Sequence, residues 1–186
     1  SICLMIESAA RESNLPLEFF ARVIWQESRF RTDAVGPVTR NGKRAQGIAQ
    51  FMPATWADIT RQLGYGAINR HEAKYAIEAG AYYMAQLRRQ WRAIDFPDRQ
   101  RLGQASYNAG AGNIRKAQRL CGDPLSYSQI IACLPAVTGP ANARQTTEYV
   151  SRIAKWRDDG YIVKLIFLKL PSVDEALARV AMRVRQ

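Results

Sequence analysis

Residues 16–28 read PLEFFARVIWQES, and their pattern decides the fold class of the chain. Proline is tolerated in the first turn of a helix, so the segment predicts a helix that begins at about Pro16. Leu17, Phe20 and Ile24 recur at helical spacing and are expected to face a hydrophobic core. Glu27 continues this apolar stripe near the helix end. Its carboxyl group is therefore expected to be at least partly buried.

Similar periodic segments predict a mainly α-helical chain. The predicted helices cover residues 5–12, 16–28, 53–63, 69–91, 97–110, 113–120, 126–133 and 145–159, and a last one begins at Ser172. The helix at 69–91 is expected to open with an Asn69-x-x-Glu72 capping box. Asn41-Gly42 is a hairpin signal and predicts a small β-hairpin on the helical body.

The chain has one predicted boundary, at Gly160. Residues 1–160 are expected to form one domain, because 186 residues with 47% apolar content can bury a single core. Residues 161–186 combine an apolar segment with an amphipathic helix. They are expected to dock onto the domain or onto a partner protein.

The charge of the chain is strongly positive. Lys and Arg number 27 against 16 acidic residues, which gives a formal charge of +11. Such a field attracts polyanions: nucleic acid, an anionic membrane or cell-wall glycan that carries carboxylates. A solvated basic surface without a specific partner is the alternative. No nucleic-acid-binding motif occurs, so nucleic acid is not expected as a partner, and no apolar run is long enough for a transmembrane segment.

The single histidine, His71, excludes several chemistries. Ser-His-Asp and Cys-His catalysis both need a histidine placed by other groups, and His71 lies in a charged helix-start pattern. The sequence has no HExxH, no zinc-type Cys/His spacing and no phosphate-binding glycine loop. We therefore expect no metal and no cofactor, and a chemistry that uses carboxylates, amides and hydroxyls.

Cys121 and Cys133 bracket a short stretch that a disulfide could close. A disulfide fits an oxidising, exported location, and two small buried thiols are the alternative. The chain begins at Ser1 without a charged-then-apolar leader, so either a signal peptide has been removed or none existed.

Glu27 is the candidate catalytic residue. A desolvated carboxyl group keeps its proton near neutral pH, which is what a general acid requires. The structural alternative is a helix-end glutamate that pairs with Arg29 or Arg31.

Two further segments carry polar groups suited to a sugar. Gly47–Pro53 (GIAQFMP) places Gln50 in a turn before a helix, and Ser106–Gly112 (SYNAGAG) places Tyr107 and Asn108 at a small-residue helix end. Aromatic faces and amides together fit a sugar ring, which is apolar on its faces and hydroxylated at its edge.

Four stretches, in order, resemble the motifs of the lytic transglycosylases with a goose-type lysozyme-like fold. They are Glu27-Ser28-Arg29-Phe30, GIAQFMPAT at 47–55, YNAG at 107–110 and QTTEYV at 145–150. The resemblance covers about residues 5–158. It implies a mainly α, lysozyme-like domain with a small β-hairpin, acting on bacterial peptidoglycan in the periplasm or cell envelope.

The resemblance also implies a mechanism. Glu27 would protonate the oxygen between N-acetylmuramic acid and N-acetylglucosamine, then accept the proton of the muramoyl C6 hydroxyl as a 1,6-anhydro ring closes. The implied substrate-binding residues are Ser28, Gln50, Phe51, Tyr107, Asn108 and Tyr149. Within that set, Tyr149 would orient Glu27, and Ser28 would support the helix end.

The sequence departs from the family pattern at several positions. Ile48 and Ala49 stand where the family has Leu and Met, Gly36 stands where it often has Ser, and Gln145 replaces a Glu. The spacing between the first two motifs is also longer than expected, and the extra residues include Asn41-Gly42.

The extra residues form the segment that contains Arg40, Lys43 and Arg44. The segment would be either a lip of the substrate groove that meets stem-peptide carboxylates or a solvated hairpin.

Two alternatives to the transglycosylase remain. One is a hydrolase of the same fold, a goose-type lysozyme or a chitin-cleaving relative, which uses water and leaves reducing ends. The other is a non-catalytic basic module that binds the cell wall.

Overall fold

The computed structural model describes residues 1–158 and, of the side chains, those of residues 1–154. The predicted mainly α-helical fold is confirmed, because the described chain is a series of helices without a regular strand. The helices are α1 (Ile2–Glu12), α2 (Leu17–Ser28), α3 (Pro53–Gln62), α4 (Ala73–Gln90), α5 (Asp98–Ala109), α6 (Ala111–Leu120), α7 (Tyr127–Ala132), α8 (Leu134–Thr138) and α9 (Pro140–Asp158). The predicted boundary at Gly160, the tail 161–186 and its helix from Ser172 lie outside the described residues.

The core forms around α2 and α4. Phe20, Val23 and Ile24 of α2 have no exposed surface, as their spacing predicts, while Leu17 is half-buried. Burying each such side chain stabilises the fold by about 1.5–3 kcal/mol. Helix α4 packs against α1 and α5, and α5 packs against α9. The end of α2, where Glu27 lies, is consequently enclosed by helices from the second half of the chain.

The predicted β-hairpin forms its turn but not its strands. Gly42 N donates to Thr39 O at 2.9 Å and Thr39 N donates to Lys43 O at 2.8 Å, with Gly42 left-handed at φ 70°. These bonds close a tight loop of three residues, and the left-handed glycine at its end is typical of such hairpin loops. Below the turn only isolated bridges form, Val35 with Gln46 and Gln46 with Phe51.

The start of α4 differs from the prediction. Asn69 and Glu72 do interact, because Asn69 N donates to the Glu72 carboxylate at 3.1 Å. The Asn69 side chain, however, accepts from His71 N at 3.0 Å, so these residues form a separate turn and the helix begins at Ala73. Local side-chain bonds of Asn compete with helix formation.

The region after residue 120 is more helical than predicted. Helix α9 begins at Pro140, before the predicted start at 145, and α8 was absent from the prediction. Cys121 and Cys133 end α6 and α7 and are joined by a disulfide with a Cα–Cα distance of 5.9 Å.

Gly47 allows the turn before α3 to contact the segment before α4. Its φ is 81°, and a Cβ atom on it would lie 1.9 Å from the carbonyl oxygen of Arg70. Arg70 in turn donates through Nη1 to Phe51 O at 2.8 Å and to Arg44 O at 3.0 Å. The backbone contact at Gly47 therefore holds together the two loops that precede α3 and α4.

Gly47→Ala is expected to destabilise the domain by roughly 3 kcal/mol, because strain at positive φ adds to a steric clash with backbone. The matched control is Gly64→Ala. Gly64 has φ 69° but no atom within 4 Å of its would-be Cβ, so a loss of about 1 kcal/mol is expected. Urea unfolding measures both. Equal losses would contradict the close packing at Gly47.

Candidate active site

Glu27 lies in the last turn of α2, at the bottom of a cleft. Burial raises the pKa of its carboxyl group from 4.5 to about 7, and a hydrogen bond from Tyr149 opposes part of that rise. The Tyr149 hydroxyl donates to Glu27 Oε1 at 2.5 Å. Glu27 therefore has a substantial protonated fraction at neutral pH, which is the state required of a general acid.

The arginines near Glu27 in sequence interact elsewhere. Arg31 forms an exposed ion pair with Asp33 at 3.3 Å, and the guanidinium of Arg29 lies 5.5 Å from the Trp25 ring centroid. Among the described side chains Glu27 has no ion pair. The geometry thus disfavours the structural alternative in which Arg29 or Arg31 neutralises Glu27.

A buried tyrosine, Tyr149, and a partly buried one, Tyr107, act electrostatically on the carboxyl group. Tyr149 comes from α9 and Tyr107 from α5, and the Tyr107 hydroxyl donates to Ala49 O at 2.9 Å. Burial, followed by the charge of Glu27, raises the pKa of both phenols well above 10. Both hydroxyls therefore stay protonated and act as hydrogen-bond donors.

The cleft at Glu27 has a volume of about 230 Å³. A second hollow of about 300 Å³ shares Asn108 and Gln145 with it, so the two form one groove along α9. The further residues of the second hollow are uncharged: Ala109, Asn113, Val137, Thr138, Asn142 and Thr146. Thr146 donates to Asn108 Oδ1 at 2.9 Å and so fixes the orientation of that amide. The groove offers amide and hydroxyl groups to a neutral, polar ligand.

Gln50 supports the turn beside the site. Its φ is 51°, and its Nε2 donates to Gly47 O at 2.8 Å and to Ala34 O at 3.1 Å. Both protons of the NH₂ group are therefore used, which leaves Oε1 as an acceptor. A Cβ atom on Gly36 would lie 3.1 Å from that oxygen, so Gly36 makes room for the Gln50 side chain.

Phe51 and Ser28 lie behind the cleft. Phe51 is 3% exposed and packs against the rings of Trp56, Tyr83 and Tyr107. The Ser28 hydroxyl donates to Ile24 O, one turn earlier in α2.

Of the residues predicted from sequence, the structure brings Glu27, Asn108 and Tyr149 to the cleft. Tyr107, Ser28, Gln50 and Phe51 are not among the residues that line it.

Sequence reasoning missed four residues that line the cleft at Glu27. They are Gln26, which precedes Glu27, and Gln145, Glu148 and Arg152 on α9. The helical spacing of Gln145, Glu148, Tyr149 and Arg152 puts them on one face. That spacing could have revealed them once Tyr149 was assigned to the site.

Ala49 stands where the family has a methionine, and its methyl group is buried. The position of a Cβ on Gly80 would be 3.2 Å from Ala49 Cβ and 3.5 Å from the Tyr107 hydroxyl. A longer side chain at position 49 would have to displace α4 or Tyr107 if it kept this direction. The Ala49–Gly80 contact accordingly explains how this departure fits the fold.

Fold and site together define a mainly helical, lysozyme-like domain in which one buried carboxyl group opens into a neutral groove. The chain belongs to the transglycosylase SLT domain family, whose sequence profile matches residues 4–129. In residues 1–158 no helix is long and apolar enough to span a membrane. That part of the chain also has no group of three or more His, Cys, Asp or Glu residues that could hold a metal ion.

Similar curated proteins are named membrane-bound lytic murein transglycosylases. The chain is 27% identical over 169 residues to membrane-bound lytic murein transglycosylase F of Desulfosudis oleivorans, covering 83% of this chain and 35% of the relative. It is 32% identical over 176 residues to membrane-bound lytic murein transglycosylase F 1 of Alkalilimnicola ehrlichii. This match covers 91% of this chain and 33% of the relative. The chain thus spans about one third of the length of these relatives.

Solved structures share the fold. An inactive mutant of lytic transglycosylase Slt from Pseudomonas aeruginosa aligns with a TM-score of 0.59 at 22% identity, over 83% of this chain and 24% of that one. The 70 kDa soluble lytic transglycosylase of Escherichia coli aligns with a TM-score of 0.60 at 16% identity. This alignment covers 82% of this chain and 24% of that one.

Glu27→Gln is expected to stabilise the domain at pH 8 but not at pH 4. Between pH 4.5 and about 7 the folded protein holds a proton that the unfolded chain has lost, so wild-type stability falls as pH rises through this window. Glutamine does not titrate. The variant's advantage should grow by up to about 3 kcal/mol between pH 4 and pH 8. Urea unfolding at several pH values measures it, and a pH-independent difference would contradict the raised pKa.

Proposed function

We propose that this domain is a peptidoglycan lytic transglycosylase. It cleaves the β-1,4 bond between N-acetylmuramic acid and N-acetylglucosamine and leaves 1,6-anhydromuramoyl ends. The observation that carries the proposal is the single buried carboxyl group of Glu27, with a pKa of about 7, at the bottom of a groove lined by amides. Membership of the transglycosylase SLT domain family supports it.

Glu27 serves as acid and then as base. The protonated carboxyl group transfers its proton to the glycosidic oxygen, and the bond from that oxygen to muramoyl C1 breaks. The resulting carboxylate accepts the proton of the muramoyl C6 hydroxyl, whose oxygen bonds to C1. No water is consumed, and Glu27 ends protonated as it began. A pKa near neutrality lets one group perform both transfers.

Tyr149 and Asn108 position the reactants in this scheme. The Tyr149 hydroxyl donates to Glu27 Oε1, so it fixes the carboxyl group and stabilises its ionised form after the first transfer. Asn108 lines both parts of the groove and is oriented by Thr146. Its amide suits the hydroxyl and N-acetyl groups of a sugar.

A hydrolase of the same fold is the second candidate, and Glu148 is the observation that favours it. An inverting glycosidase uses a second carboxylate to activate water, and Glu148 lines the same cleft as Glu27. Glu148 is, however, 55% exposed and forms an ion pair with Arg152 at 3.5 Å. Its position at the rim supports a binding role better than a catalytic one.

The domain acts outside the cytoplasm in this proposal. The disulfide between Cys121 and Cys133 suits an oxidising compartment, and peptidoglycan lies in the cell envelope. A periplasmic or envelope location, with peptidoglycan as the partner, follows from the proposed substrate. Docking of residues 161–186 onto envelope proteins is a separate proposal that concerns the chain outside the described residues.

Digestion of purified sacculi is expected to release muropeptides with anhydro ends, identified by mass spectrometry. Glu27→Gln should abolish turnover, because the amide carries no transferable acidic proton, while glycan binding persists. Glu148→Gln should retain at least half of the activity. Reducing ends together with loss of turnover in Glu148→Gln would establish the hydrolase instead. Unchanged turnover of Glu27→Gln would refute the catalytic role of Glu27, and binding of sacculi by the wild type without release of muropeptides would leave a non-catalytic binding module.

Turnover of the wild type is expected to fall as pH rises above about 7, because the Glu27 acid loses its proton. Tyr149→Phe removes the hydrogen bond that lowers this pKa, so the alkaline limb of the kcat profile should move to higher pH. The lost contact to a charged group should also reduce kcat roughly tenfold.

Tyr127→Phe is the matched control for Tyr149→Phe. The buried hydroxyl of Tyr127 has no hydrogen-bond partner among the described residues, so its removal should not shift the pH profile of kcat. An unshifted limb in Tyr149→Phe would rule out the assigned role of Tyr149.

A further inference from the structure

Residues 36–45, which we call the basic loop, are anchored at their base. Gly36 N donates to Ala45 O at 2.9 Å, and Arg44 Nη1 donates to Gly36 O at 2.9 Å. From outside the loop, Arg70 Nη1 donates to Arg44 O at 3.0 Å. The turn at residues 39–43 closes the tip with two backbone hydrogen bonds. The loop is thus bound to the domain at its base and internally bonded at its tip.

The base of the basic loop is linked to the wall of the cleft by a series of contacts. A Cβ on Gly36 would touch the Gln50 side chain at 3.1 Å, and the neighbouring Ala49 carbonyl accepts from the Tyr107 hydroxyl at 2.9 Å. Asn108, which follows Tyr107 in the chain, lines the cleft at Glu27. Gln50, Ala49 and Tyr107 thus connect the base of the loop with a residue of the cleft.

The charge of the basic loop is entirely positive. Arg40, Lys43 and Arg44 are exposed, and no acidic residue occurs between Asp33 and Asp58. Asp33, the nearest acid before the loop, already pairs with Arg31. By contrast, most of the exposed ion pairs on the helices join residues three or four apart. The loop presents cations that no neighbouring acid in the sequence balances.

We propose that the basic loop is a lip that binds the carboxylates of peptidoglycan stem peptides, so that the domain prefers peptide-bearing glycan to glycan stripped of peptide. The inference rests on the proposed function. The sugar rings themselves are neutral, and the carboxylates of this polymer lie on the peptides attached to the muramoyl lactyl groups. Neutral amides in the groove and cations on the basic loop match that division of charge.

Arg40 and Lys43 are the residues to change. Arg44 is unsuitable because it also bonds to Gly36 O, whereas the side chains of Arg40 and Lys43 are exposed at the tip. The matched control is Lys116→Gln/Arg119→Gln on α6, which removes the same two charge types from exposed positions. Neither control residue lines the groove.

Equilibrium binding of soluble glycan strands measures the effect. All proteins carry Glu27→Gln, so that strands stay intact. Each strand preparation is used with its peptides and after their removal by an amidase, which hydrolyses the lactyl amide bond and leaves one carboxylate on each lactyl group. Arg40→Gln/Lys43→Gln should weaken binding of peptide-bearing strands roughly fivefold at low salt and weaken binding of stripped strands clearly less, because these have lost the carboxylates of the peptides. The loss should shrink at higher salt, and the control pair should change both strand types equally or not at all.

Equal weakening for both strand types, or no weakening for either, would overturn the proposal.

Exposed Val35 and Val38 beside these cations also allow a membrane contact, which is tested by pelleting with vesicles of anionic phospholipid. A loop variant that loses vesicle binding but keeps its affinity for peptide-bearing strands would refute peptide binding by the loop in favour of a membrane contact.

The binding experiment involves no turnover, so its result is independent of the product analysis. Absence of anhydro ends would refute the proposed activity without deciding how the strands bind.

Discussion

The burial of the Glu27 carboxyl group is the constraint on which the rest of the site depends. It requires an apolar stripe on α2, because Phe20, Val23 and Ile24 draw that helix into the core and carry Glu27 with them. It also requires a donor, since a buried carboxyl group without a partner would be costly. Tyr149 supplies that donor from α9, 122 residues further along the chain. The pKa of about 7 is the balance between desolvation and this hydrogen bond.

Small residues make the enclosure of the site possible. Gly47 lets the turn before α3 approach the Arg70 backbone, and the Ala49–Gly80 contact brings that turn against α4. Tyr107 can then donate to Ala49 O from α5. The two departures from the family pattern near this turn, Gly36 and Ala49, are therefore packing features. Gly36 accommodates the Gln50 side chain, and Ala49 accommodates α4.

Charge is distributed in layers around the groove. The only acid at its bottom is Glu27 among the residues described, and the hollow along α9 is lined by amides and hydroxyls. Ionised groups appear at the rim in the Glu148–Arg152 pair. Interactions are strong in the low-dielectric interior and screened at the rim. The carboxyl group at the bottom of the groove is thereby separated electrostatically from the charges at its rim.

Local patterns determined the helices, the candidate acid and the motif residues Asn108 and Tyr149, because apolar periodicity and short motifs are properties of neighbouring residues. Tertiary contacts decided the rest. Helix α4 begins at Ala73 because the Asn69 side chain binds the His71 backbone in a separate turn. The hairpin has its predicted turn, but only isolated bridges form beside it. Gln50 became a supporting residue because Ala34 and Gly47 take its amide protons. The protonation of Glu27 depends on burial by distant helices, which no local pattern encodes.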